Sequence, residues 1–181
     1  KYVPEFLEDI VEKNLNCINF IKTPNDCLPL FNGATSLNLS QVERYLENFK
    51  SNNKNNNLGG LFKIKHKNHF VIIDIDKPPQ KKFSRSYQSG PLSFEYFLDG
   101  TKIITNSGFG SHISKKAELL SRLTACQSTL TINETSITKF EKNEMINKIF
   151  GNSIQDSFKS FDYSSKNEND IVGCSASNNG Y

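Results

Sequence analysis

Three histidines are the side chains of this sequence best suited to metal binding or proton transfer. His66 and His69 are three residues apart, a spacing that can hold a metal ion on a helix. Here they flank Lys67-Asn68 in a predicted hairpin tip, and the neighbouring lysines disfavour a cation. Because zinc takes three or four protein ligands, we expect a solvent-exposed pair, with a hairpin metal site as the alternative. His112 follows a glycine loop that lacks the Lys-Ser/Thr of a phosphate-binding motif.

Two carboxylates, Asp74 and Asp76, would share one face of a strand. Paired carboxylates can serve acid–base catalysis, but the Pro78-Pro79 that follows favours a simple strand end. The four cysteines contain no Cys-x-x-Cys pair, which argues against a zinc ribbon or a thioredoxin-like site and leaves the redox compartment open. Residue chemistry alone therefore identifies no catalytic centre.

The composition excludes some classes of partner. The 181 residues carry a net charge of +3 with both signs mixed, whereas a nucleic-acid-binding domain concentrates Lys and Arg on one face. No long apolar run is present, so we expect neither a transmembrane helix nor a signal peptide within the chain. The sequence also holds 22 asparagines, densest in residues 51–57. We predict that this run is a solvated linker.

The periodicity predicts helices first and strands afterwards. Apolar residues recur with a helical period between Tyr2 and Lys22, and Ser40 is suited to cap a second helix that runs to Lys50. Asp99-Gly100 marks a second hairpin turn. Strands are predicted at residues 61–65, 70–75, 92–97, 102–106, 128–132, 136–140 and 171–177. Residues 144–150 are predicted to be a short turn or strand pair, and 153–169 a polar loop. The predicted class is α+β, mainly β and antiparallel.

Five blocks of sequence resemble the heparinase II/III-like family, in the form common in α-proteobacteria. The blocks are Leu-Pro-Leu-Phe-Asn-Gly-Ala at residues 28–34, Gly-Pro-Leu-Ser-Phe-Glu-Tyr-Phe at 90–97, Ile-Ile-Thr-Asn-Ser-Gly at 103–108, Arg-Leu-Thr-Ala-Cys-Gln-Ser-Thr-Leu-Thr-Ile-Asn-Glu-Thr-Ser at 122–136 and Ala-Ser-Asn-Asn-Gly-Tyr at 176–181. They occur in the order that the family has. The resemblance therefore touches nearly the whole chain.

This resemblance implies a fold and an activity. The fold is an antiparallel β-sandwich domain preceded by the last helices of an α/α toroid. Residues 1–50 would be the C-terminal helices of an incomplete toroid, 51–57 the linker, and 58–181 a C-terminally truncated sandwich. The known members are bacterial polysaccharide lyases that cleave glycans such as heparin, heparan sulfate or alginate by β-elimination. The implied partners are an acidic polysaccharide and the missing toroid domain, in the periplasm or the cytoplasm.

The departures from the family pattern concern its chemical residues. The family has histidines at the positions of Gln88, Gln127 and Asn178, and a zinc-binding carboxylate at the position of Asn106. A neutral amide is a weak zinc ligand and no general base near neutral pH. We therefore predict no cofactor, although some members hold zinc, and no catalytic residue within the fragment.

The resemblance nevertheless implies a binding face. The expected substrate-binding residues are Gln88, Asn106, Arg122 and Gln127. For Arg122 two roles stay open, contact with an anionic sugar or hydrogen bonds to backbone carbonyls. The alternative to an inactive lyase fragment is a non-catalytic glycan-binding or structural β-sandwich module that has lost its histidines.

Overall fold

Two helices precede a five-stranded antiparallel sheet, and a two-stranded sheet ends the chain. The computed structural model describes residues 4–47, 56–156, 158–168 and 171–181. The helices are α1 (Glu5–Ile21), α2 (Ser40–Glu47), α3 (Lys115–Leu120) and α4 (Glu144–Phe150). The strands are β1 (Asn57–Leu58), β2 (Leu61–His66), β3 (His69–Asp74), β4 (Phe94–Leu98), β5 (Thr101–Ile104), β6 (Ser160–Glu168) and β7 (Ile171–Asn178). This mainly antiparallel architecture confirms the predicted α+β class.

The large sheet has the strand order β1-β2-β3-β4-β5, so each strand pairs with its neighbour in sequence. Both predicted hairpins are present. His66 pairs with His69 across the first tip, where Lys67 has a φ of 51°. Asp99 and Gly100 turn the second tip with φ angles of 50° and 77°. Asn68 donates its side-chain amide to Asp99 Oδ1 at 2.9 Å, so the two tips are joined.

One face of this sheet packs against the segment that links the helices to the strands. Phe70, Ile72 and Phe97 lie on neighbouring strands and share that face with Phe31 from the linking segment. Phe70 and Phe97 are directly opposite and point to the same side, and Ile72 shares that side because it lies two residues from Phe70 along β3. The packing fixes the start of the Phe31-Asn32-Gly33 turn beside the sheet.

The second sheet is the β6–β7 hairpin, and it contacts β2. The ring of Tyr163 on β6 meets the ring of Phe62 edge-on, with centroids 5.9 Å apart. The prediction of a loop over residues 153–169 was wrong in its second half. Its polar composition concealed a partly exposed strand, in which Phe161 and Tyr163 are 45% and 40% exposed.

Residues 128–132 and 136–140 were predicted as strands, and this was wrong. They form only isolated bridges, Ile132 with Thr135 and Phe140 with Ile154. Hydroxyl side chains take the place of a backbone ladder here. Thr129 Oγ1 donates to the carbonyl of Pro91 at 2.6 Å. An alternating pattern rich in Ser and Thr therefore produced extended chain without a sheet.

The helices also differ in detail from the prediction. Ser40 is the first residue of α2, and its N–H donates to Asn38 Oδ1 at 2.7 Å. Residues 48–55 lie outside the described part of the chain. The predicted helix end at Lys50 and most of the predicted linker fall within them. Residues 144–150 form helix α4 because Asn143 caps the amides of Met145 and Ile146. None of the described helices is long and apolar enough to cross a membrane.

Candidate functional site

Gln88 lies in the loop between β3 and β4 and joins three backbone segments. Its Oε1 accepts the N–H of Gly33, and its Nε2 donates to the carbonyls of Gly108 and Ser121, all at 3.0 Å. Only 2% of the residue is exposed. Position 33 requires glycine. Its φ of 97° lies in the left-handed region, and a Cβ there would lie 2.7 Å from the Ser86 side chain.

Gln127 lies beside Gln88, although the two are far apart in the sequence. Its Nε2 donates to the Ser121 carbonyl at 2.7 Å, so Gln88 and Gln127 share one acceptor. Gly90 is required beside it, because a Cβ at that position would meet Gln127 Cγ at 2.9 Å. The Gln127 Oε1 atom has no hydrogen-bond donor among the described residues.

Asn106 completes this group, which we call the amide cluster (Gln88, Asn106 and Gln127). Asn106 is 2% exposed, and its Oδ1 accepts the Ser128 N–H at 2.9 Å, directly after Gln127. Its Nδ2 is buried without a partner among the described residues. The adjacent Glu95 is fully buried, accepts the Thr105 hydroxyl at 2.7 Å and forms an ion pair with Lys102 at 3.3 Å.

A groove of about 820 Å³ opens beside the amide cluster. Gln127 and Asn178, from distant parts of the sequence, both line it. Its walls are mostly apolar: Leu92, Phe94, Ile104, Leu130, Ile132 and Ile137. Tyr181 closes one end, with its hydroxyl accepting the Ile132 N–H and donating to the Leu130 carbonyl, both at 3.1 Å. We call this the amide groove.

Arg122 lies outside the amide cluster and, like Gln88 and Asn106, does not line the amide groove. It is 0% exposed and donates to the carbonyls of Tyr87, Asn152 and Ser84 at 2.8, 2.5 and 2.8 Å. The guanidinium also lies 4.1 Å from the centre of the Phe140 ring. Burial lowers its pKa to about 10, so it stays charged at neutral pH. The sequence left two roles open for Arg122, and this geometry supports hydrogen bonding to backbone carbonyls over contact with a sugar.

The model of the family described as heparinase II/III-like, C-terminal, matches residues 50–181. The chain belongs to the heparinase II/III-like family. None of the curated proteins matches it in sequence. The solved structures with the same fold include a heparinase III with methylated lysines (15% identity, TM-score 0.58), the heparan sulfate lyase HepC mutant from Pedobacter heparinus (17%, 0.56) and a heparinase III (18%, 0.56).

These matches also show how much of each heparinase II/III-like structure the chain corresponds to. They cover 74%, 77% and 78% of this chain but only 25%, 27% and 29% of the respective structures. The chain therefore spans about a quarter of their length. At these identities the likeness establishes the shared fold.

The amide cluster of this heparinase II/III-like chain is a poor fit for zinc. Its two glutamines direct N–H groups at the Ser121 carbonyl, and an N–H donor repels a cation. The buried Asn106 atom without a partner is likewise the nitrogen, not an oxygen. The described residues include no group of three or more His, Cys, Asp or Glu with metal-binding geometry. The donor chemistry thus disagrees with the zinc held by some members.

The remaining candidates lie elsewhere. His69 Nδ1 is 2.8 Å from the Tyr96 hydroxyl, and the two rings stack. Asp74 is buried, and its Oδ2 accepts the Asn32 side-chain amide at 3.0 Å. Burial raises the Asp74 pKa to about 6, although the bonds from Asn32 and the Asp76 amide oppose the rise. Asp76 itself is exposed.

One part of the amide cluster could not be predicted from the sequence. The Ser121 carbonyl is the point at which the glutamines meet, and a backbone acceptor has no residue type that a sequence pattern could reveal. Asn178 was recognised as a family position but was not assigned to a binding site. Its place in the amide groove depends on β7 and could not be inferred from spacing.

Proposed function

We propose that this chain is the sandwich part of a polysaccharide lyase that cleaves uronic-acid glycans by β-elimination. The observation that carries the proposal is the amide groove, in which two family positions, Gln127 and Asn178, face one opening. Gln127 Oε1 accepts no hydrogen bond from the described residues and can accept one from a sugar hydroxyl. Asn178 Oδ1 accepts the Gly180 N–H at 3.1 Å, which orients its amide nitrogen as a donor. The apolar walls suit the C–H faces of a sugar ring.

The reaction sets requirements that the groove meets only in part. β-Elimination removes the C5 proton of the uronate, neutralises its carboxylate and protonates the leaving oxygen. Neutral amides orient hydroxyl and carboxylate groups but do not abstract a proton near pH 7. Tyr181 is the one titratable side chain among the described residues that line the groove, and its hydroxyl already bonds two backbone groups. We infer that the chain positions the glycan and that base and acid come from a toroid domain of a longer protein.

The test separates binding from cleavage. The first measurement is calorimetric titration of this chain with oligosaccharides of heparin, heparan sulfate and alginate, and we expect binding that Gln127→Leu weakens. The second follows the ultraviolet absorbance of the unsaturated uronate product. We expect no product from the chain alone, and product when the coding region is extended upstream of Lys1 to include a toroid.

Two results would contradict the proposal. If the extended protein binds glycan but releases no unsaturated product from any of the three polymers, the lyase assignment fails and a binding module replaces it. If neither form binds any of the glycans, the assignment of the amide groove fails as well. Leu130→Val, which changes an apolar residue of the same wall, is the matched control for Gln127→Leu.

A further inference from the structure

A second groove, of about 390 Å³, lies on another part of the molecule. It is bounded by the end of α1 and by the tips of the β2–β3 and β4–β5 hairpins. Four lysines line it: Lys22, Lys63, Lys65 and Lys67. We call it the basic groove. It shares no lining residue with the amide groove, so the two are separate surfaces.

The basic groove is built on fixed elements. Lys63 donates to the carbonyl of Phe20 at 2.9 Å and lies 4.4 Å from the centre of that ring, which holds the strand against the last turn of α1. On the other side, Asp99 N–H donates to the Asn68 carbonyl at 3.0 Å. Together with the side-chain bond between the same two residues, this fixes the hairpin tips that form the groove's rim.

The positive charge of the groove is only partly compensated. Lys22 pairs with Asp26 at 2.7 Å, and the Asp99 carboxylate accepts from Asn68. Lys65 and Lys67 are exposed and have no ion-pair partner among the described residues. The Lys63 pKa is lowered by burial and, secondarily, by the charge of Lys65. The ammonium groups of Lys63 and Lys65 repel each other, and neither forms an ion pair with a carboxylate of the described residues. An anion bound between them would relieve this repulsion.

We propose that the basic groove binds the sulfate or carboxylate groups of an acidic polysaccharide, as a contact distinct from the amide groove. Lys65 and Lys67 supply the charge, and Lys63 sets the floor. A nucleic acid fits this surface less well. Of the two aromatic rings that line it, Phe70 is 6% exposed, and His69 stacks on Tyr96, which covers one face of its ring. The proposal concerns binding alone and does not require that the chain takes part in cleavage.

The experiment measures fluorescence anisotropy of a labelled, sulfated heparin hexasaccharide with this chain. We expect Lys65→Gln/Lys67→Gln to weaken binding about tenfold and to flatten the dependence of log Kd on log salt by about 1 to 2, as counter-ion release predicts. The matched control is Lys115→Gln/Lys116→Gln on α3, which removes the same charge from two exposed lysines elsewhere. It should change the affinity less than twofold.

Other outcomes overturn the proposal. Equal losses in both double variants would mean non-specific attraction by net charge, and no loss in either would place the glycan elsewhere. A single-stranded oligonucleotide of equal charge is tested in the same way. If it binds as tightly and loses affinity equally when Lys65 and Lys67 are replaced, the groove binds polyanions in general and the assignment to a glycan fails. If these variants lose affinity while Gln127→Leu has no effect, the basic groove stands and the role of the amide groove fails. If Gln127→Leu weakens binding and the lysine variant does not, the role of the amide groove stands and that of the basic groove fails.

Discussion

Gln88 and Gln127, far apart in the sequence, donate their side-chain amides to the same acceptor, the carbonyl oxygen of Ser121, at 3.0 and 2.7 Å. The heparinase II/III-like pattern has histidine at both positions. A glutamine amide keeps a donor where an imidazole N–H would donate, so the shared acceptor remains satisfied. What is lost is the lone pair that could bind zinc or take a proton. The structural role of this pair is therefore separable from its chemical role.

The first prediction is that Gln88→Leu destabilises the fold. The change leaves the part-buried Gly33 N–H without its partner and removes one donor each from the buried Gly108 and Ser121 carbonyls. An unpaired buried backbone group costs about 1 to 3 kcal/mol, and we expect a loss of that size in the free energy of unfolding. Urea denaturation measures it. The exposed Gln80→Leu is the control, and equal midpoints for the two variants would refute the bridging role.

The second prediction concerns the metal chemistry of the family positions. Gln88→His, Asn106→Asp and Gln127→His in one protein should produce one-to-one zinc uptake, because two imidazoles would converge beside Ser121 with a carboxylate next to them. The wild-type chain should take up no stoichiometric zinc. Calorimetry of the metal alone gives the readout.

The control for zinc binding places the same three residue types on exposed amides, as Gln80→His, Gln155→His and Asn179→Asp. This variant should not take up zinc, because its ligands do not converge. A triple variant at the amide cluster that is folded but binds no zinc would show that the backbone there no longer supports a metal site.

The third prediction separates the two roles of Arg122. A lysine ammonium cannot match the planar fork that reaches the carbonyls of Tyr87, Asn152 and Ser84, so Arg122→Lys should reduce the free energy of unfolding by about 3 to 5 kcal/mol. Glycan affinity, measured where the variant is still folded, should not change. The exposed Arg85→Lys should affect neither quantity. A variant of normal stability with weakened glycan binding would instead assign Arg122 to sugar contact.

The local parts of this fold were predictable from sequence, and the long-range parts were not. Asp99-Gly100 and the His66–His69 tip were found because turn geometry depends on a few neighbouring residues. Helix α4 was missed although Asn143 and Gly151 mark its two ends, because the short segment between them has no clear period. Strand β6 was missed because exposed strands need no apolar alternation.

The candidate site shows the same division. Family motifs indicated Gln88, Asn106 and Gln127 as neighbours, and the structure brings the two glutamines onto one atom. The motifs did not reveal that Gln88 and Asn106 are almost fully buried, since burial depends on the whole packing. Nor could they reveal the basic groove, whose lysines come from a helix end and a hairpin that meet only in the folded chain.

The last prediction is a pH dependence that arises from Asp74. Burial raises its pKa from an ordinary 3.8 to about 6 in the folded state. The folded protein thus holds a proton that the unfolded chain has released between these values. Its contribution to stability is complete below about pH 4 and is lost as the pH rises through 6. The loss amounts to about 3 kcal/mol at most.

Asp74→Asn removes this titration, so the difference in the free energy of unfolding between the wild type and the variant should shift with pH over that window. Urea midpoints at several pH values test this, with the exposed Asp9→Asn as a control that follows the wild type. Parallel curves for the wild type and Asp74→Asn would contradict the raised pKa. Asp74 also holds Asn32, and the next residue, Gly33, donates to Gln88. Ionisation of Asp74 should therefore strengthen the Asn32 bond while it weakens the fold, and glycan affinity of the folded protein should change little across the same window.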